Sequence, residues 1–169
     1  MKAEDKHRGL TAEWLRELLS YSPDTGEFRW RVSLGTARAG SVAGTRQNKG
    51  YWCITISGRA YLAHRLAWVY VHGEWPDEQI DHRNGIRDDN RIANLRGATD
   101  SQNKQNRHQA KVGTKTGLLG TSWCERDKLF VATIRRDGKQ THIGCYRTAE
   151  EAHAAYLEAK RKFHSHCTL

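Results

Sequence analysis

The chain of 169 residues lacks the features that mark membrane proteins, disulfide-rich secreted proteins and cysteine-based zinc proteins. It has no long apolar run, and its beginning, MKAEDKHRGL, lacks the apolar segment of a signal peptide. Its four cysteines are scattered and form no C-x-x-C pair, so we expect reduced thiols rather than a zinc site. The sequence therefore predicts a soluble, cytoplasmic protein with no membrane partner.

Hydrophobic residues are also scarce, at 37%, which suits one or two small domains with modest cores. Acidic residues number 19 against 28 Lys and Arg, and the net charge is +9. The charge is unevenly spread, with +4, −2, +7 and 0 on residues 1–62, 63–103, 104–147 and 148–169. Two basic segments therefore flank an acidic one. This pattern is consistent with flanks that bind a polyanion and a middle segment that binds a cation, although solubility alone also explains a basic surface.

The pattern of apolar and turn residues predicts an α+β protein with two modules. Residues 1–62 indicate a short helix followed by a β-rich part. A helical stripe then runs to Gly73, a residue type that commonly ends helices. Residues 79–105 are predicted to form a strand, a long turn, a second strand and a helix. That helix should begin directly after Thr99, which fits a capping box with Gln102.

The second module follows a basic segment, residues 108–116, which we interpret as a linker. Three strand candidates come next, separated by the turns RDK and RDGK, the second with the Asp-Gly pair typical of hairpins. Thr148 and Glu151 then form a capping box before a helix with one apolar stripe. Residues 117–163 are therefore predicted to form a small three-stranded antiparallel sheet with one packing helix, and residues 164–169 a tail.

Acids and amides gather in the stretch IDHRNGIRDDNRIANLRGATDSQN, at residues 80–103. The chemically useful groups there are, in order, Asp81, His82, Asn94 and Asn103. Mg²⁺ takes oxygen ligands and keeps several waters, which Asp81 and Asn103 would suit. An imidazole such as His82 can take a proton from water near neutral pH. Asn, Asp and Gly are also ordinary turn residues, and neighbours in a flat strand point to opposite faces, so spacing alone leaves a structural role open.

The segment AHRLAWVYVHGEWPDEQIDHRNGIRDDNRIANLRGATDSQNKQN closely resembles the HNH endonucleases of the phage and intron-homing branch. Its HRLAW, DH, N-before-LR and SQN motifs carry the resemblance. It implies a ββα-metal finger at residues 63–107 that bends its strand at the Asp-His pair and cuts a phosphodiester bond with one divalent metal ion. By this resemblance, His82 is the general base, while Asp81 and Asn103 bind the metal. Asn94 would support the turn and orient the histidine. Mg²⁺ suits these ligands best, and Mn²⁺ is possible.

Other residues have less definite roles under the same resemblance. His64 is expected either to pack between helix and finger or to assist near the phosphate, and Arg65 and Arg91 either to bind phosphate or to stay solvated. The stretch LLSYSPDTGEFRWR also resembles sequences that precede phage HNH fingers, so residues 1–62 are expected either to hold DNA or to shield the finger's core. The basic residues predicted to hold DNA there are Arg29, Arg31, Arg46 and Lys49.

Residues 117–163 resemble the plant ethylene-response-factor (APETALA-type) DNA-binding domain through the motifs G-x-S-W, ATIR, HIGCY and TAEEAHAAY. That family lays its sheet in the major groove. Alternation then predicts a groove face of Ser122, Cys124, Arg126, Thr133, Arg135 and His142, and a helix face of Trp123, Val131 and Ile143. Plant relatives have arginine at the positions of Ser122 and Cys124, so base recognition is expected to differ. Phosphate contacts are expected from Lys128, Arg136 and Lys139.

Together these features predict a metal-dependent HNH endonuclease, of the phage homing type, that acts on double-stranded DNA in the cytoplasm of a bacterial host or phage-infected cell. The protein would be a monomer or a dimer, and a monomer with one finger should nick. One alternative is a DNA-binding regulator built on a degenerate finger, which would bind without cutting. Another is an RNA-binding protein, for which Trp30, Tyr51 and Trp52 would have to form exposed stacking platforms.

Overall fold

A computed structural model of the protein describes residues 9–107, 110, 113–136, 138–164 and 167. The chain forms two compact units, Met1–Thr99 and Asp100–Leu169. Most of the predicted linker and tail, and Asp137 of the predicted RDGK turn, lie outside the described residues. The predicted domain limits do not coincide with the division between the two units and stay predictions.

The described part of the first unit, residues 9–99, contains two α-helices, one 3-10 helix and seven short strands. Its elements are α1 (Ala12–Leu18), β1 (Leu19–Tyr21), β2 (Phe28–Trp30), β3 (Thr45–Arg46), β4 (Trp52–Ile56), β5 (Arg59–Leu62), α2 (Ala63–His72), β6 (Gln79–His82), a 3-10 helix (Ile92–Asn94) and β7 (Leu95–Ala98). Thr11 Oγ1 accepts from the backbone N of Trp14 and caps α1, and Gly73 ends α2 with a left-handed φ of 85°. Local sequence therefore sets both helix boundaries, as predicted.

The strands of the first unit form three small antiparallel sheets, β1-β2, β3-β4-β5 and β6-β7. One continuous core joins them, with Leu15, Phe28, Ile54 and Leu66 fully or almost fully buried. Ile80 of β6 belongs to the same core. Burying each such side chain stabilises the fold by about 1.5–3 kcal/mol. The N-terminal part and the β6-β7 hairpin are thus one folded body, and Trp30, buried in this core, offers no stacking platform for RNA.

The second unit contains α3 (Asp100–Gln105), β8 (Thr121–Cys124), β9 (Leu129–Arg136), β10 (Lys139–Tyr146) and α4 (Ala149–Phe163). The three strands form one antiparallel sheet in the order β10-β9-β8. Both bonds of the predicted capping box between Thr148 and Glu151 are present at the start of α4. The predicted three-stranded sheet with one packing helix is confirmed, and the α+β class holds for both units.

Strand pairing decides which side chains of this sheet lie opposite α4. Ala132 and Ile134 of β9 are buried, and α4 packs on this strand. Val131 alternates with them and therefore lies on the open face, so its predicted position on the helix face is wrong. The helix packs on the smaller neighbour, Ala132. The open face also carries Ser122, Cys124, Thr133, Arg135 and His142, as predicted, since cross-strand partners share a side.

Two further residues differ from the expected arrangement. Trp123 packs edge-on against Phe130 at 4.8 Å between ring centroids, on the predicted side. Ile143, however, lies where the register shifts between His142 and Gly144, so simple alternation does not assign it a face. Arg126 lies beyond the end of β8 in the turn to β9 and is therefore not part of the sheet surface. Within the part of the chain that the structure describes, no helix has the length and apolar character needed to cross a bilayer.

Candidate active site

The β6-β7 hairpin positions the predicted catalytic residues of the first unit. Its pairing is regular from Gln79 to His82, with Asp81 opposite Arg96 and His82 opposite Leu95. The pairing has no register shift at the Asp-His pair, so the expected bend of the strand is not a bulge. His82 is the last residue of β6, however, and its surroundings are set by the loop that follows.

Asp81 forms a nearly buried ion pair across the hairpin. Its Oδ2 accepts from Nε and Nη2 of Arg96, at 3.1 and 2.9 Å. A guanidinium bound through two N–H groups fixes the orientation of the carboxylate. An ionised carboxylate at 6% exposure is costly unless it is paired, which accounts for Arg96 at this cross-strand position.

His82 is 4% exposed and is surrounded by other rings and an amide. Its Nε2 lies 3.4 Å from Oδ1 of Asn90, a contact that is a hydrogen bond in the tautomer protonated at Nε2. The ring lies 4.8 Å from that of His64 and 6.1 Å from that of Tyr51, between centroids. Burial lowers the pKa of His82, opposed by the Asn90 contact and by the nearby aspartates, so the ring is neutral at pH 7.

Asn94 braces the loop between the two strands. Its Oδ1 accepts from the backbone N of Asn84 at 3.0 Å, and its Nδ2 donates to the carbonyl of Asp89 at 2.8 Å. The backbone N of Arg83 donates to the Asn94 carbonyl at 2.8 Å. These contacts join the two ends of the loop, and the predicted role of Asn94 in orienting His82 stays a prediction.

Asn90 is a site residue that sequence reasoning placed among turn-forming residues. Tyr21 donates from its hydroxyl to the Asn90 carbonyl at 2.7 Å, and Nδ2 of Asn90 donates to the Asp88 carbonyl at 3.2 Å. A Cβ on Gly26, which has a φ of +75°, would lie 2.6 Å from the backbone N of Arg91. The N-terminal part therefore fixes Asn90 from outside the hairpin, and no local motif signals this long-range contact.

His64 and Arg65, at the start of α2, occupy different positions. His64 is buried beside His82, and burial together with the charges of His82 and Arg65 lowers its pKa to about 3. Its Nδ1 has no hydrogen-bond partner among the described residues. Arg65 donates instead to the carbonyls of Pro76 and Glu78, at 3.2 and 3.4 Å. His64 therefore lies at the candidate site, whereas the contacts of Arg65 brace the segment after α2.

The two predicted metal ligands belong to different units, so the metal site that they would form stays a prediction. Asp81 supplies a fixed carboxylate, and the second predicted ligand, Asn103, lies in α3 of the second unit. Among the described residues, no three His, Cys, Asp or Glu side chains gather as a metal-binding group. Mg²⁺ commonly uses one or two protein oxygens and keeps its waters, so a sparse oxygen site fits it better than Zn²⁺.

The basic residues predicted to contact DNA are mostly exposed and differ in their partners. Arg29 pairs with Glu27 at 2.7 Å, and Arg31 donates to the carbonyl of Arg16 at 3.2 Å. In the second unit Arg126 pairs with Asp127, Lys128 with Glu125, and His142 contacts Cys145. Arg136 lies over the ring of Phe163 at 5.0 Å and thus on the α4 side, unlike Arg135.

Comparison with known proteins identifies a family that the segment containing the site resembles. Residues 61–105 match the family model described as HNH endonuclease, close to the predicted limits of 63–107. The candidate site therefore lies in a segment that is similar to HNH endonuclease domains. It is also 28% identical over 109 residues to Protein 3.8 of Escherichia phage T7, which covers 58% of this chain and 89% of that protein.

A solved structure, described as DNA binding and cleavage by the HNH homing endonuclease I-HmuI, aligns with a TM-score of 0.41 and 20% identity. The alignment covers 79% of this chain and 74% of the other. The family match ends at residue 105, so the resemblance of residues 117–163 to the plant DNA-binding domain stays a prediction.

Proposed function

We propose that the protein is a DNA endonuclease that hydrolyses a phosphodiester bond with His82 as general base and one divalent metal ion, Mg²⁺ or Mn²⁺. The observation that carries this proposal is the buried imidazole of His82, placed beside Asn90 and His64 within a segment that matches the HNH endonuclease model. Fixed orientation and a neutral ring are what a general base requires.

The proton would be taken at a defined atom of His82. In the tautomer that donates from Nε2 to Asn90, the lone pair is on Nδ1, which takes the proton of the attacking water. Because burial lowers its pKa, the ring starts the reaction neutral. Asn94 holds the loop in the conformation that keeps Asn90 beside the ring. His64 restricts the ring from its other side.

Asp81 would hold the metal ion on the hairpin, and Asn103 is the second proposed ligand. When bound, the ion supplies charge stabilisation for the phosphate and the leaving oxygen. Arg96 orients the Asp81 carboxylate for this purpose. The oxygen ligands support Mg²⁺ or Mn²⁺ over Zn²⁺.

Double-stranded DNA is the proposed substrate, with the basic faces of both units contacting phosphates. The open face of the β8-β9-β10 sheet, with Arg135 and His142, is the proposed surface of the second unit. The relative in phage T7 supports a phage setting, hence the cytoplasm of an infected bacterium. A homing role is part of the proposal on the sequence resemblance alone. A monomer would nick, and a dimer would cut both strands.

A supercoiled-plasmid assay tests the proposal. Wild-type protein with Mg²⁺ should produce nicked circles, and EDTA should abolish them. His82→Ala should lower the rate by about 10²–10⁴ while leaving DNA binding unchanged, because the base is lost and not the basic surface. Binding without cleavage, with Mn²⁺ and with DNA from the protein's own locus as well, would instead establish the DNA-binding regulator.

A further inference from the structure

Two loops of the first unit meet beside the candidate site. One is the tight turn between β3 and β4, residues 47–50, and the other is the β6-β7 loop, residues 83–91. Arg46, at the edge of the first loop, pairs through Nε with Oδ2 of Asp88 at 3.1 Å. Arg87 of the second loop donates from Nη1 to the carbonyl of Lys49 at 2.7 Å. We call these two segments the paired loops.

Arg87 is held between the paired loops by neutral groups. Its Cζ lies 5.2 Å from the centre of the Tyr51 ring, and its stem runs past Gly50, where a Cβ would lie 3.8 Å from Cδ of Arg87. The neighbouring Arg91 and Arg96 bind carboxylates, of Asp89 and Asp81, which neutralise them. The contacts of Arg87 with a carbonyl and an aromatic face orient its guanidinium, and no carboxylate among the described residues forms an ion pair with it.

Tyr51 connects this guanidinium to the candidate site. Its ring centroid is 5.5 Å from that of His64 and 6.1 Å from that of His82. Arg87 thus lies on one side of a ring whose other neighbours are the two buried histidines. An exposed cation fixed one ring away from the proposed general base is placed to meet the same substrate.

We propose that Arg87 binds a backbone phosphate of DNA beside the bond that is hydrolysed by the water activated by His82, and that Tyr51 is the positioning residue that orients Arg87. The inference rests on the proposed endonuclease function for its substrate. A guanidinium has five N–H donors, and donation of one to Lys49 leaves others to bind phosphate oxygens in a fixed geometry. Lys49 extends the same positive surface.

Metal-free binding isolates this contact from catalysis. Fluorescence anisotropy with a short labelled duplex in EDTA, over about 50–200 mM KCl, gives both the affinity and the slope of log K against log salt concentration. Arg87→Ala should weaken binding about tenfold and reduce the slope by about one, as expected for the loss of one phosphate contact. Arg87→Lys should keep the slope and recover part of the affinity, because the charge stays while the planar donor group is lost.

Arg38→Ala is the matched control, since it removes the same charge from an exposed position in another loop of the same unit. It should leave the slope unchanged. An equal loss in both variants would show a general charge effect and overturn the proposal. The proposal would also fail if Arg87→Ala bound DNA like the wild type, or if the wild type did not bind DNA.

The role of Tyr51 is tested in the same way. Tyr51→Leu should weaken binding two- to threefold, whereas Tyr51→Phe should bind normally. If the two variants bound DNA equally, Tyr51 would not be a positioning residue.

The plasmid assay separates this inference from the function on which it rests. If the wild type binds and never cuts, yet Arg87→Ala reduces the salt slope, the endonuclease fails and the phosphate contact stands. If the wild type cuts and Arg87→Ala binds and cuts normally, the endonuclease stands and the phosphate contact fails.

Discussion

In the β6-β7 hairpin, Nη2 of Arg96 lies 2.9 Å from Oδ2 of Asp81, with side-chain exposures of 12% and 8%. In the β8-β9 turn, Nε of Arg126 lies 2.8 Å from Oδ1 of Asp127, with exposures of 87% and 38%. The distances are almost the same, but only the first pair is withdrawn from water. Burial rather than distance therefore decides what each pair contributes.

A similar contrast separates the polar groups of the candidate site from those on the sheet of the second unit. His82, Asn90 and Asn94 are buried. Nε2 of His82 contacts Oδ1 of Asn90, and Nδ2 of Asn94 donates to a carbonyl of the same loop. On the open sheet of the second unit, Arg135 and His142 are exposed. The first region is organised as chemistry requires, with fixed orientations. The second leaves its basic side chains exposed, which suits the DNA recognition proposed for it.

The largest stability effect should come from breaking the buried pair. Arg96→Met removes the guanidinium and leaves the carboxylate of Asp81 in a buried position without that charge partner. We expect the free energy of unfolding to fall by about 3 kcal/mol, as measured by urea denaturation. Adding Asp81→Asn should recover part of the loss, because the buried charge is then gone as well.

Arg126→Met is the matched control for the exposed pair and should leave the unfolding midpoint unchanged. If both variants unfolded at the same urea concentration, the contrast between the two regions would not hold energetically. If the Arg96→Met, Asp81→Asn double variant were less stable than Arg96→Met, the loss would come from packing of the arginine stem rather than from the buried charge.

A second prediction concerns pH. His64 has its pKa lowered to about 3, while an unfolded histidine titrates near 6.5. Below about pH 6.5 the unfolded chain binds a proton that the folded chain does not, so stability falls as pH falls toward 3. Between pH 7 and 5 the wild type should lose about 2 kcal/mol more than His64→Gln.

Urea titrations at pH 7, 6 and 5 for both proteins measure this difference, and the comparison cancels the contributions of titrating groups that do not interact with His64. Parallel pH dependences would show that His64 is accessible to protons in the folded state. A steeper loss in the variant would reverse the sign and exclude a neutral buried ring.

Short-range signals in the sequence predicted much of the fold. The capping box of Thr148 and Glu151 and the end of α2 at Gly73 depend on residues within one helical turn, and both are present. The hairpin that carries Asp81 and the order of strands and helix after it were also predicted. These features are local because turns, caps and alternation are set by neighbouring residues.

Contacts between distant segments were not predicted. Tyr21 and Asn90 are 69 residues apart in the sequence, and the tertiary fold brings the Tyr51 ring close to the ring of His82. The prediction for Val131 was wrong for a different reason. The larger apolar side chain was assigned to the core, but the adjacent residue Ala132 is the buried one. Side-chain size and spacing do not reveal which of two adjacent residues a helix will cover.

The smallest predicted effect distinguishes the two faces of the second unit. Arg135 lies on the open face opposite Gln140, whereas Arg136 lies over Phe163 on the α4 side. Arg135→Ala should weaken binding of a short duplex about fivefold and lower the salt slope by about one, because a phosphate or base contact is lost. Arg136→Ala removes the same charge from the adjacent position and should change the slope less, with its main effect on the melting temperature through the lost contact with the Phe163 ring. The reverse order in the anisotropy titrations would mean that DNA meets the helix side of the sheet, against the orientation proposed for this unit.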